Sequence, residues 1–162
     1  LLAQNPCADF LNVLGERDIN EAVTVLKENC GPFIENTSDD GMSRTWINQK
    51  NGITIGFVNR NTNPSSLPKF EVLSVELTSF TDSGGYKLDF PFGFKMGMDS
   101  RMVRAHIMQL ADISYERKDL GLTMSSFTYT GTVNATAKGR KVKVYVIQEK
   151  GSTISAIRLL LL

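Results

Sequence analysis

Few side chains in this sequence can do chemistry at neutral pH: one histidine, His106, and two cysteines, Cys7 and Cys30. Three such residues fall short of the four Cys or His ligands that a structural zinc ion wants, and neither H-E-x-x-H nor an EF-hand loop occurs. No metal or other cofactor is expected. His106 is the one group whose ordinary pKa suits a general base near neutrality. Its spacing from Val103, Ile107 and Leu110 places it on the apolar stripe of a predicted helix, where a packed, hydrogen-bonded histidine is the expectation. No G-x-S-x-G elbow and no cysteine-protease signature accompany it. The phosphate loop G-x-x-x-x-G-K-[ST] is missing as well, and Gly93-Phe94-Lys95-Met96-Gly97 does not match G-x-G-x-x-G. The chain therefore reads as non-enzymatic.

Cys7 and Cys30 are 23 positions apart. In an exported protein such a pair is expected to close a disulfide loop, contributing about 3 kcal/mol in the chain-entropy account. Leu1-Leu2-Ala3-Gln4 resembles the end of a secretory signal with Ala3 at the cleavage position, so a periplasmic or secreted location is expected.

Recognition is the more promising chemistry. Trp46, Tyr129 and Tyr145 fall on predicted strands, where an aromatic either fills the core or anchors an interface. Residues 59–69, Asn-Arg-Asn-Thr-Asn-Pro-Ser-Ser-Leu-Pro-Lys, form the longest irregular stretch and carry Arg60 and Leu67. Loops of that length often bind. Lys138, Arg140, Lys141 and Lys143 are the densest basic cluster and lie near Tyr129 and Tyr145, a combination that can hold single-stranded nucleic acid. With a net charge of only +1, a solvated hairpin is the expectation and nucleic acid is not. The first 80 residues carry net −4 and the remaining 82 carry net +5, a polarity suited to steering a charged partner. The longest apolar run, 159–162, is far below the ~18 residues of a membrane-spanning helix.

The elements that must position these residues follow from periodicity. Ile19, Ala22, Val23, Leu26 and Cys30 make one helical stripe, capped by Asp18 or Asn20 and stopped by Gly31-Pro32. Val103, His106, Ile107 and Leu110 make another, capped by Asp99 or Ser100. Strands are predicted over 33–35, 43–48, 53–58 and 70–80, and again over 113–117, 124–133, 141–148 and 153–161. A shift of 80 residues sets Phe10 on Phe90, Leu14 on Phe94, Val23 on Val103 and Cys30 on Leu110. This predicts an α+β fold of two tandem helix-plus-four-strand modules, 1–80 and 81–162, joined in one compact unit, with the helices packed on an antiparallel sheet.

Phe90-Pro91-Phe92-Gly93-Phe94-Lys95-Met96-Gly97-Met98-Asp99, running into Ser100-Arg101-Met102-Val103, resembles the L-P-F-G-L-x-F-G-M-[ST] turn of small exported bacterial proteins of the β-lactamase inhibitory protein and BamE-like type. The resemblance implies helices on a curved sheet and function by protein binding through the open sheet face and loops. The expected function is occlusion of a partner protein, as an inhibitor or immunity factor, with Trp46, Tyr129, Tyr145, Arg60 and Leu67 as the contact residues. The alternative is a small-molecule or lipid carrier, its pocket lined by Met and Phe between helices and sheet.

Overall fold

The computed structural model describes residues 10–17, 24, 26, 30–61, 63, 65–79, 84–87, 90–95, 97–110, 113–119, 127–148 and 153–162. Eight strands dominate: β1 (Ile34–Thr37), β2 (Ser43–Asn48), β3 (Ile53–Asn59), β4 (Phe70–Thr78), β5 (Ile113–Asp119), β6 (Phe127–Ala137), β7 (Arg140–Gln148) and β8 (Ile154–Leu161). They form one sheet in the order β1-β2-β3-β4-β8-β7-β6-β5, with every neighbouring pair antiparallel.

Alternation along each strand separates the two faces. Ile53, Ile55 and Phe57 of β3, Val75 and Leu77 of β4, Val142, Val144 and Val146 of β7, and Ile157, Leu159 and Leu161 of β8 all point into one core. Thr54, Glu76, Tyr145 and Arg158 occupy the intervening positions and are half-buried or exposed. Opposite residues of an antiparallel pair share a face, so the register from Val146 to Ile157 to Leu77 to Ile53 carries the apolar row across the middle of the sheet. A register shift between Gly56 and Phe57 leaves Leu73 of β4 as an extra residue, which keeps Val72 and Phe70 on the core side.

Two helices can be named: α1 (Phe10–Val13), a single turn, and α2 (Ser100–Gln109). The Asp99 carboxylate caps α2 by accepting from the Met102 amide at 2.9 Å, and the Leu110 amide closes its end on the Ile107 carbonyl at 3.1 Å. Val103 is fully buried, His106, Ile107 and Leu110 are half-buried, and Arg101, Arg104 and Met108 are exposed, as the predicted stripe requires. Before α2, Pro91–Gly93 makes a 3-10 turn in which Phe92 takes φ +62. Phe90 and Phe94 on either side of it are core residues. No helix among the described residues is long and apolar enough to cross a membrane.

The expected fold of two helix-plus-four-strand modules is corrected. Among the described residues α2 is the one helix longer than a turn, and the eight strands form one continuous sheet, so the described part of the chain is mainly β. The two sets of strands merge because β4 and β8 pair from Ser74 with Leu160 to Thr78 with Ala156. Each of these strands is apolar on the same face, and pairing removes an exposed edge from both. Most of the helix expected to end at Cys30 lies outside the described residues, as do the boundary near residue 80 and Cys7. Leu26 and Cys30, from that stripe, are buried in the core. The Cys30 carbonyl accepts from the side-chain amides of Asn48 at 2.6 Å and Asn51 at 2.8 Å, and Gly31 follows with φ +89. Two sequence-distant asparagines thus satisfy the carbonyl at this chain reversal.

Candidate functional site

The sheet face opposite the core carries a row that crosses six strands. Tyr145 of β7 stands opposite Arg158 of β8, then Glu76 of β4, Thr54 of β3, Ile47 of β2 and Ile34 of β1. Arg158 Nε lies 3.3 Å from Glu76 Oε2, with the two side chains 51% and 33% exposed. The Lys143 ammonium sits 5.3 Å from the Tyr145 ring centroid. A surface that mixes an aromatic ring, aliphatic side chains and paired charges can bury an apolar centre while its rim stays hydrated.

The second feature lies where β4 runs beyond the end of β8. There Gly15 donates its amide to the Val72 carbonyl at 2.8 Å and Val72 donates back to the Glu16 carbonyl at 3.1 Å. The 15–17 segment thereby lies alongside Val72 of β4. Glu71 is buried at this point, its side chain 2% exposed, and three guanidinium groups converge on it. Arg17 Nε donates to Oε2 at 3.3 Å, Arg60 to Oε1 at 3.1 Å, and Arg140 makes a short bond to the same Oε1. Burial pushes the Glu71 carboxyl up, but the hydrogen bonds and positive charge of Arg140 and Arg60 outweigh it and hold the group below the usual carboxylate range.

Arg140 arrives by way of the β6–β7 hairpin. Its two-residue turn, Lys138 at φ +49 and Gly139 at φ +78, is the type I′ geometry whose twist matches the flanking strands. Lys138 is an unusual residue at that position. Its ammonium donates to the Leu14 carbonyl at 3.1 Å and lies 3.8 Å from Glu16 Oε2, which ties the hairpin tip to the 15–17 segment. A cavity of about 320 Å³ opens between Arg17, Lys138 and Arg140, with Glu71 in its wall.

The predicted contact residues do not share one surface. Trp46 is a correction: it is 7% exposed and packs in the core, its ring 4.7 Å from Phe57 and 6.2 Å from Phe33. Its register partner Ile55 faces inward, so the indole must too. Tyr129 stands in register with the buried Val146 and with Arg117, not in the row of Tyr145. Tyr145 does lie on the open face. Leu67 is 85% exposed in its loop, and Asn61 donates to its carbonyl at 2.9 Å. Asn59 braces the loop base by accepting from the amides of Asn61 and Lys69. Arg60 turns from that loop onto Glu71. His106 donates from Nε2 to the Phe92 carbonyl at 2.8 Å and meets the Phe94 ring edge-on at 4.9 Å, a structural role that secures the turn before α2.

Sequence reading missed Glu71 and Arg17. The basic hairpin was visible as charge density, but nothing local announces that its residues meet a glutamate about 70 positions away. Comparison of the chain with family models, with curated proteins and with solved structures finds no match in any of the three.

Proposed function

We propose that the protein is a non-enzymatic, exported binding protein that occludes a partner protein, acting as an inhibitor or immunity factor. The observation that carries this reading is the row Tyr145, Arg158, Glu76 on the sheet face opposite the core. The strands average about 25 Å in length, and seven spacings of about 4.8 Å give that face roughly 800 Å². A standard protein interface buries about 800 Å² per partner, so the face is large enough. Tyr and Arg are the residue types that most often dominate such interfaces, and Leu67 and the charge polarity along the chain would set orientation and encounter rate. The resemblance of the Phe90–Asp99 turn to exported inhibitory proteins agrees with this reading. The carrier alternative needs an apolar cavity between helix and sheet, where Phe90, Phe94, Val103 and Ile157 pack with at most 3% exposure.

Capture from extract and culture medium of the source organism tests the proposal. The wild type and a Tyr145→Ala/Arg158→Ala variant with unchanged folding are compared. The variant is expected to lose a band that the wild type retains. Equal recovery would refute placement of the contact on this face.

A further inference from the structure

We propose that the cavity framed by Arg17, Lys138 and Arg140 binds a phosphate monoester. The argument begins with charge. Arg17, Arg60, Lys138 and Arg140 bring four positive charges to one place, and Glu16 and Glu71 supply two negative ones. The surplus of the cluster is +2: Arg17, Lys138 and Arg140 line, with Glu16 and Glu71, a space of about 320 Å³ that opens to solvent, and Arg60, outside that lining, joins through its bond to Glu71. One buried carboxylate does not require three guanidinium groups. Assembling them carries mutual repulsion that Glu71 relieves only in part.

Donor geometry points the same way. Arg17 spends its Nε on Glu71 and is 80% exposed, so its terminal N–H groups remain available at the mouth. Arg140 spends Nε on the Leu162 carbonyl and one terminal nitrogen on Glu71, which leaves its other terminal nitrogen. Glu71 therefore acts as an orienting residue: it fixes Arg17 through Nε and Arg140 through one terminal nitrogen, which leaves both terminal nitrogens of Arg17 and one of Arg140 for a ligand. Planar forks fixed in this way match the oxygens of phosphate or carboxylate. The surplus of +2 decides between them. A phosphate monoester carries about −1.5 to −2 near neutrality, whereas a carboxylate carries −1 and would leave the site charged.

Isothermal titration with phenyl phosphate and with benzoate, at fixed ionic strength set by chloride, tests the proposal. Phenyl phosphate is expected to bind saturably with one site, at least about tenfold more tightly than benzoate, equivalent to 1.4 kcal/mol. Its affinity should fall between pH 7.5 and 5.5 as the phosphate takes up its second proton near pH 6, while benzoate binding stays level. Arg17→Ala removes a mostly exposed side chain and leaves Arg60 and Arg140 on Glu71. Lys138→Asn keeps a residue that tolerates positive φ and removes the charge. Each is expected to weaken phenyl phosphate about tenfold, whereas Lys95→Ala, an exposed cation elsewhere, leaves it unchanged. The absence of saturable binding, equal affinity for benzoate, or full affinity in both cleft variants would overturn the proposal.

Discussion

Replacement of Glu71 by Gln keeps the shape of the side chain and removes its charge. The carboxylate is 98% shielded from solvent and receives charge-assisted bonds from Arg17, Arg60 and Arg140, whose side chains are 80%, 44% and 31% exposed. The exposed Arg17 bond is worth little, within the 0–1 kcal/mol of a surface pair. When the carboxylate goes, Arg60 and Arg140 lose their charge-assisted bonds but stay partly solvated, so the cost is about 1.5–3 kcal/mol. For a chain of this length, each kcal/mol lowers the melting temperature by about 2–4 °C, so Glu71→Gln should melt roughly 3–12 °C lower. Arg17→Ala should cost at most about 1 kcal/mol. Thermal and urea denaturation followed by circular dichroism measures both. The pH dependence has a definite sign. Because the folded-state pKa of Glu71 is lowered, its contribution is complete above the unfolded value, near 4.3, and is lost as pH falls from there through the folded value. The gap between wild type and Glu71→Gln should therefore be level at neutral pH and close in acid. A cost below about 1 kcal/mol at pH 7, or a gap that widens as pH falls, would refute the account of Glu71 as the centre of the cluster.

Other positions respond to different forces. Gly52 has φ +64, and a Cβ there would lie 2.1 Å from the Thr78 carbonyl oxygen and 2.4 Å from the Tyr86 nitrogen. Gly52→Ala should therefore lose at least about 2 kcal/mol from backbone strain and steric overlap together, read as a shift in urea midpoint. Trp46→Ala is expected to cost about 3–5 kcal/mol as a core truncation, whereas Leu67→Ala, in an exposed loop, should stay within about 0.5 kcal/mol. His106→Ala removes the bond to the Phe92 carbonyl and the edge contact with Phe94, and should destabilise by about 1–2 kcal/mol in the same assay.

All eight strand spans were legible within a few residues, because alternating β-branched and aromatic residues between Asn, Gly and Ser turns are a local signal. The cap at Asp99 and the stripe on α2 were legible for the same reason. The error over Trp46 has a physical origin: alternation shows that Trp46 and Asn48 share a face and Thr45 and Ile47 share the other, but not which face meets the core. That depends on Phe33, Phe57 and the helix side of the sheet. The expectation of a helix in front of each set of four strands failed on helix content, since among the described residues α2 is the one helix longer than a turn. Local patterns define strands, but which strands pair across the two halves was not legible, because β4 and β8 join residues more than 75 positions apart.

Local chemistry in the chain sets where strands, turns and the α2 cap lie, since these depend on neighbours within a few residues and on backbone preferences. It also sets the count of histidines at one and of cysteines at two. The joining of β4 to β8, the face on which each aromatic lies, and the meeting of Arg17, Arg60 and Arg140 around Glu71 arise only on folding. Each depends on long-range register. A one-residue slip would send Glu71 or Tyr145 to the opposite face, and the burial of the apolar rows across the whole sheet is what holds that register in place.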